Sequence, residues 1–402
     1  MNSIWVALKN VLRNRRRSVT TILVVAIGCA ALLIAGGFTL YTYAMLEDNA
    51  AREAGHITIA DKRFFEEEEE APMQFGIHAQ NVVSNLSEIS KIEFVLPRLY
   101  FSGLISNDDK SVIFTGIGVL LNTELEVRGD FLKVVEGLGI SGNSVSGAGV
   151  LIGIDLARSL KARVGSSLTL MATTTSGSMN AIDVVVTGVV TTGWKDADKR
   201  LVLVDIADAQ HLLMTDKVSS LSLYLSDKNS IEEVREGLII DNNLITKPWS
   251  EQAFYYTSVK ALYNRIFGLL GIIIALLVLF SVANTMSSAV SERTREIGTL
   301  RALGSYPREV IAQFVYEGMV IGVIGILIGD LLALIVTYLL PYAGFEMPPP
   351  PGRSIGYPLL VSASITLYGV IDMLMVLLCC IAALFSSRKA ARMQIMEALR
   401  HV

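Results

Sequence analysis

The sequence predicts an α-helical membrane domain of four transmembrane helices, with a large mixed α+β extracytoplasmic domain inserted between the first and second. Two observations predict this class. Apolar residues make up 52% of the 402 residues and the mean hydropathy is +0.51, whereas charged residues make up only 18%, against about 25% in ordinary soluble domains. The charges are also segregated: residues 47–260 hold about 30 Asp and Glu against about 19 Lys and Arg, whereas the flanking segments are apolar and basic.

Four apolar stretches are each long enough to cross a bilayer, which takes about 20 helical residues. Their predicted bounds are 19–46, 261–290, 310–340 and 359–386. Arginines precede the first stretch as they would a signal peptide, but its apolar run exceeds the roughly 7 to 15 residues of a signal core. It is therefore predicted to be an uncleaved first helix.

Orientation follows from the short flanking segments, because Lys and Arg are enriched on the cytoplasmic side. Basic residues are concentrated in the N-terminal segment 1–18, the connection 291–309 and the tail 387–402. The connection 341–358 holds only Glu346 and Arg353 as charged residues, which fits the opposite side. We therefore expect both termini in the cytoplasm and residues 47–260 outside it.

Residues 47–260 are numerous enough to bury a core of their own. Short or alternating apolar runs bounded by turn residues predict strands at 56–60, 112–118, 167–171, 184–190, 201–204 and 221–225. Helical spacing predicts short helices at 154–160 and 207–213, and residues 173–179 are typical of a hairpin loop. Segments 39–52 and 249–265 fit a helical stalk or an interfacial aromatic belt.

The connection after the second span is predicted to form a short amphipathic helix over residues 292–303. Its apolar residues, Ile297, Leu300 and Leu303, share one side, and Gly304 and Pro307 end it. The alternative is a linker lying on lipid headgroups.

These residues also carry a family resemblance. The segment ERTREIGTLRALG at 292–304, the Phe and Glu of QFVYEG and the terminal MEALR resemble the FtsX-type permease domain of the MacB and lipoprotein-releasing LolC/LolE branch of ABC transporters. The run GVLIGIDLARSLKARVGSSLTL followed by DVVVTGVV is similar to the MacB-like periplasmic core of that family. The resemblance covers the whole chain, and it implies a type VII, mechanotransmission-like permease of the bacterial inner membrane. Such a permease would extract or export a lipophilic or periplasmic cargo, such as a lipoprotein or lipid.

The resemblance further implies that the short cytoplasmic helix docks on an ABC ATPase. The residues that would form or shape this contact are Glu292, Arg293, Arg295, Glu296, Gly298, Arg301 and Gly304. The sequence shows no G-x-x-x-x-G-K-[ST] phosphate loop, so we expect no cofactor on this chain, and ATP and Mg²⁺ on a separate cytoplasmic ATPase dimer. Further expected partners are a second permease copy or paralogue and a periplasmic acceptor, adaptor or lipoprotein.

Small and acidic residues within the predicted spans supply further candidates. Glycines spaced four, three and four apart predict a close helix contact, either within the subunit or between permease copies; they are Gly318, Gly322, Gly325 and Gly329. Acidic side chains are costly in hydrocarbon and are therefore functional candidates; they are Glu317, Asp330 and Asp372.

Several functions are disfavoured. A formal net charge of -4 disfavours a general nucleic-acid binder. The three cysteines lie in apolar runs and the four histidines lack ligand spacing, so no metal site is predicted. We find no Ser/His/Asp or HExxH pattern in a suitable context and predict no catalytic residue, that is, a transport subunit rather than an enzyme.

The alternative function is that of an FtsX-like regulator transmitting ATPase motion to a cell-wall hydrolase. The five glutamates at 66–70 are expected to be a solvated loop, with a cation or basic-peptide contact as the alternative, and the MPPPPG loop at 347–352 has no assigned role.

Overall fold

The computed structural model describes residues 7, 9–11, 13, 15–65, 75–86, 91–137, 148–238, 243–347 and 356–391. The glutamates at 66–70, the proline loop after Met347 and the terminal MEALR lie outside the described residues. The chain divides into two units. We call Met1–Ala44, Ser258–Glu346 and Pro358–Val402 the helical unit, and Met45–Thr257 with Met347–Tyr357 the α/β unit.

The first helix, α1 (Arg15–Ala54), contributes residues to both units. It extends past both ends of the predicted span 19–46, because the polar residues on each side of the apolar run are also helical. Gly55 ends it with a left-handed φ of +91°, a conformation that suits glycine at a helix C-terminus. A Cβ at Gly55 would also lie only 2.8 Å from that of Ser222. The sequence therefore needs glycine at this turn.

The α/β unit alternates strands with short helices, as the sequence predicts. Its elements are β1 (Ile57–Asp61), α2 (Ala79–Leu86), β2 (Ile92–Ser106), β3 (Ser111–Val119), α3 (Leu121–Arg128), β4 (Lys133–Gly137), β5 (Ala148–Gly153), α4 (Ile154–Leu160), β6 (Ser167–Thr173), β7 (Met179–Thr191), α5 (Lys195–Asp198), β8 (Leu201–Asp205), α6 (Ile206–Leu213), β9 (Ser220–Leu225), α7 (Ile231–Gly237), β10 (Leu244–Pro248) and α8 (Trp249–Gln252). All six predicted strands and both predicted helices are confirmed. The strands β2, β4, β5 and β10 were not predicted.

The ten strands form one mixed sheet in the order β10-β1-β9-β2-β3-β8-β5-β7-β4, with β6 pairing to β2 and β7. The long strand β2 joins its two parts. Residues Ile92 to Arg98 pair with β9, and residues Leu99 to Ser106 pair with β3. Pro97 lies in the part that precedes the pairing with β3, so its missing N–H removes no bond on that side.

The two largest apolar clusters among the described residues of the α/β unit lie on this sheet. One is built from β3, β5, β6, β7 and β8 with α4 and α6, and the other from β1, β9 and β10 with α7. The strand β2 supplies side chains to both, among them Leu99 and Ile105 to the first and Val95 to the second.

The helical unit continues with α9 (Phe254–Glu292), α10 (Thr294–Ala302), α11 (Pro307–Ala343) and α12 (Ile365–Ala391), and the short strands β11 (Glu346–Met347) and β12 (Tyr357–Pro358) lie between the last two helices. In the part of the chain that the structure describes, four helices are long and apolar enough to cross a membrane: α1, α9, α11 and α12.

The fourth helix begins at Ile365 rather than at the predicted residue 359. The preceding segment is held outside a helix by backbone hydrogen bonds. The Leu359 N–H donates to the Phe345 carbonyl at 2.9 Å, and the Ser362 N–H donates to the Gly37 carbonyl at 3.0 Å. The apolar residues 359–364 therefore lie in a segment outside regular secondary structure, which precedes the helix.

Candidate functional site

The helix α10 is a separate segment between α9 and α11, and its bounds, Thr294–Ala302, lie just inside the predicted range 292–303. The break lies at Arg293, where the Thr294 hydroxyl donates to the carbonyls of Val290 and Ser291 at 3.1 and 3.0 Å. At the other end Gly304 takes a φ of +102°, which favours glycine. The α11 helix then starts with Pro307 at its first position.

The predicted apolar side of this segment is only partly buried, and Leu303 directly follows the end of α10. Ile297 is buried in the bundle core, but Leu300 is 43% and Leu303 81% exposed. At 3.6 residues per turn, six residues rotate by about 600°, so Leu303 points about 120° away from Ile297. Leu300, Leu303 and Tyr306 are thus three exposed apolar or aromatic side chains at and just after the end of α10, and we call them the leucine surface.

Two acidic residues at the start of the motif pair with arginines of the N-terminal region. Arg13 pairs with Glu296 at 3.2 Å, and Arg17 pairs with Glu292 at 2.9 Å. Both pairs join the N-terminal region to the α9–α10 segment, and all four side chains remain substantially exposed. Exposed pairs of this kind contribute about 0 to 1 kcal/mol each.

A third ion pair is buried. Arg293 donates through Nη1 to Oε1 of Glu317, on α11, at 2.7 Å, and Asn10 donates through Nδ2 to the same oxygen at 2.6 Å. The side chains of Arg293 and Glu317 are only 11% and 4% exposed. The sequence placed these residues in two separate groups, and the structure brings them together.

The remaining predicted residues of the motif differ in their surroundings. Arg295 is exposed, Arg301 is half-buried and Gly298 is buried. A Cβ at Gly304 would meet nothing within 4 Å, so its conformation rather than a close contact requires glycine there.

The glycine face of α11 is covered within the chain. A Cβ at Gly318 would lie 2.7 Å from that of Ala383, and one at Gly322 would lie 3.1 Å from that of Cys379, both on α12. Further along, a Cβ at Gly325 would lie 2.6 Å from Cγ1 of Val25 on α1, and one at Gly329 2.8 Å from the carbonyl oxygen of Ala26, also on α1. These glycines therefore let α11 approach two helices of its own chain.

The other intramembrane acids meet a cysteine. The ligand atoms of Cys29, Asp330 and Asp372 all lie within 4.8 Å of one another, although they come from α1, α11 and α12. The thiol of Cys29 donates to Oδ1 of Asp330 at 3.8 Å, and the buried Oδ1 of Asp372 has no hydrogen-bond partner among the described residues. Groups of this chemistry can hold a cation, but acidic clusters also occur without one, so the geometry alone assigns no ligand.

The α/β unit contains a buried polar network that the sequence did not predict. Arg98 on β2 donates to the two Glu124 carboxylate oxygens at 3.3 and 2.8 Å, and to the Tyr224 hydroxyl at 2.8 Å. Arg98 also donates to the Glu53 carbonyl, and the Tyr224 hydroxyl donates to the Arg52 carbonyl at 2.8 Å. These carbonyls are among the last of α1, so the network caps its C-terminal end, where positive charge is favourable.

The protonation states fit these roles. Burial alone would lower the pKa of the Arg98 guanidinium, but the Glu124 carboxylate beside it raises that pKa above its ordinary value. Burial raises the pKa of the Tyr224 hydroxyl to about 12, so that hydroxyl keeps its proton. In sequence, Arg98 and Glu124 look like ordinary surface residues, and no spacing pattern links them.

Four apolar helices, an α/β unit inserted between the first two and a charged helix between the next two define the class of multipass membrane permeases. Family models support this class: the FtsX-like permease C-terminal model matches residues 268–395, and the MacB-like periplasmic core domain model matches residues 18–239. The chain belongs to the FtsX-like permeases with a MacB-like periplasmic core domain, in the MacB and LolC/LolE branch of ABC transporters.

Curated relatives agree with this family. The chain is 24% identical to the lipoprotein-releasing system transmembrane protein LolC of Xylella fastidiosa over 80% of this chain and 76% of that protein. It is 28% identical to LolC of Neisseria meningitidis over 63% of this chain and 65% of that protein. A shorter match, 29% identical over 35% of this chain and 23% of the relative, is to the macrolide export ATP-binding/permease protein MacB of Nitrobacter winogradskyi.

Proposed function

We propose that this ABC transporter permease couples ATP hydrolysis by a separate cytoplasmic ATPase dimer to movement of its periplasmic core domain. The observation that carries the proposal is that the two ends of the ERTREIGTLRALG motif differ in their surroundings. Its first charges are held by the bundle, and the leucine surface that follows is exposed. Exposed apolar side chains on a charged helix that is anchored to the bundle are typical of a site that binds a protein partner.

The expected orientation follows from the basic flanks. Arg13, Arg15, Arg16 and Arg17 precede the apolar part of α1, and Arg388 lies near the described end of α12. The positive-inside rule puts these segments in the cytoplasm of a bacterial inner-membrane protein. In this orientation α10 faces the ATPase, which would bind ATP and Mg²⁺ itself.

The proposed cargo is a lipoprotein or another lipophilic or periplasmic molecule. The support is the similarity to LolC, whose name describes a lipoprotein-releasing system. A second permease copy or paralogue would complete the membrane part, and a periplasmic acceptor or adaptor would take up the cargo.

Purification of the intact chain in mild detergent, followed by mass spectrometry of bound proteins and acylated species, tests this function. We expect an ABC ATPase together with a lipoprotein or lipid. An ATPase accompanied by a cell-wall hydrolase and no acylated species would instead support the FtsX-like regulatory function. Recovery of an intact permease assembly without any ATPase would contradict both.

A further inference from the structure

The Arg293–Glu317 ion pair is buried inside the helical unit, where it cannot contact a docked partner. Both side chains are almost fully buried, so neither is available to an ATPase. Burying two charges is costly, and it is tolerated only where geometry is good and the remaining polar atoms are bonded. The 2.7 Å contact supplies good geometry, and Asn10 donates a further hydrogen bond to the same carboxylate oxygen.

The pair joins three parts of the helical unit at one oxygen atom. Arg293 is the single residue between the end of α9 and the start of α10, Glu317 belongs to α11, and Asn10 belongs to the N-terminal region. The side chain of Arg293 therefore fixes the junction of two helices against a third. The nearby buried Ile297 belongs to the same apolar cluster as Phe314, which adds packing on the same side.

The other two ion pairs of the motif do not supply this constraint. Arg13–Glu296 and Arg17–Glu292 are both substantially exposed. Water can replace either partner of such a pair at little cost. Water cannot do the same for a buried carboxylate, because loss of its partner leaves an uncompensated charge.

We infer that the buried Arg293–Glu317 pair is the joint that makes α10 and α11 move as one body. The functional consequence of this inference rests on the proposed function. When an ATPase displaces α10, the pair transmits the displacement to α11, and the Arg293 junction does not bend. Arg293 and Glu317 are thus positioning residues, and Arg293 is not an ATPase contact. Loss of the pair should uncouple the permease without undocking the ATPase.

The joint itself is tested by pulsed electron spin resonance on the full permease in lipid nanodiscs, without the ATPase. Spin labels are placed on the exposed positions Thr299 of α10 and Ala312 of α11, with the native cysteines replaced by alanine. We expect one narrow distance distribution in the parent, a clearly broader one in Arg293→Glu and Glu317→Gln, and a narrow one again in the swapped Arg293→Glu/Glu317→Arg variant. Single variants that remain folded and as narrow as the parent would overturn the inference.

The consequence is tested in unlabelled proteoliposomes with the ATPase, using a purified triacylated lipoprotein as the probe. We expect Arg293→Glu and Glu317→Gln to retain the ATPase while lipoprotein released per ATP hydrolysed falls about tenfold, within the range for mutations in coupling networks. The swapped variant should recover most of the release. The matched control Arg17→Glu, which breaks an exposed pair at the same end, should release lipoprotein normally.

The two hypotheses fail in different ways. Absence of ATPase binding or lipoprotein release in the unmutated permease would contradict the proposed function. The distance distributions would still show whether the Arg293–Glu317 pair fixes α10 to α11. Normal release per ATP in Arg293→Glu and Glu317→Gln, with the ATPase bound, would overturn the joint and leave the proposed function intact.

Discussion

Replacing Leu303 with aspartate is expected to release the ATPase subunit from the permease. Leu303 is the most exposed residue of the leucine surface and follows directly after α10, so the substitution disturbs no buried contact of the free chain. In a complex the leucine would be desolvated, and a carboxylate in its place would be buried without a partner. Burying that unpaired carboxylate is expected to cost at least about 2 kcal/mol, which corresponds to roughly 30-fold weaker binding.

The measurement is the affinity of the purified ATPase for the detergent-solubilised permease. Leu300→Asp should weaken binding in the same direction, although Leu300 is less exposed. The matched control is Met214→Asp, which changes an exposed apolar residue of the α/β unit and should bind normally. Unchanged affinity in Leu303→Asp and Leu300→Asp together would rule out the leucine surface as the docking site.

The second large effect is expected at Arg98. Its guanidinium is buried and bonded to Glu124, Tyr224 and a carbonyl at the end of α1. Arg98→Met leaves the Glu124 carboxylate buried without its main partner. Breaking a buried pair in this way costs about 3 to 5 kcal/mol, a large fraction of the stability of a domain.

Hydrogen exchange of the intact permease measures this loss, because the amides of β2 and β9 report on the sheet that the network holds together. Arg98→Met should speed their exchange strongly, and the double variant Arg98→Met/Glu124→Leu should recover part of the protection, since it removes the unpaired charge. The control Lys91→Ala breaks an exposed pair with Glu233 and should cost about 0 to 1 kcal/mol. Unchanged protection in Arg98→Met would show that the network contributes little to stability.

Much of the fold follows from patterns that act over short distances in the sequence. The alternation at residues 167–171 gives a strand because one set of its side chains is buried, whereas residues 221–225 form a strand whose side chains are buried on both faces of the sheet. The apolar runs give long helices because each is long enough to cross a bilayer as a helix. The strand β2 escapes such reasoning because Pro97 and Gly103 interrupt its pattern, and its pairing changes partner midway.

The candidate site depends on contacts that no local pattern contains. The motif identifies α10, but its rotation puts Ile297 inside and Leu303 outside, and only the packing against α11 reveals this. For Glu317 a signal was available: an acid about 10 Å from the predicted start of an apolar helix needs a nearby cation, and Arg293 lies in the segment that precedes that helix. Arg98 and Glu124 offered no such signal, because they lie on separate elements whose register is set by the sheet.

Photo-crosslinking at position 303 in living cells tests whether the leucine surface docks on an ABC ATPase. A benzophenone amino acid replaces Leu303 in the full-length permease, and mass spectrometry identifies the attached molecule, with position 214 as the control. We predict covalent attachment of an ABC ATPase at position 303 and not at position 214. Attachment of lipid alone at position 303 would contradict the account, since it would show that α10 is a linker lying on the membrane surface.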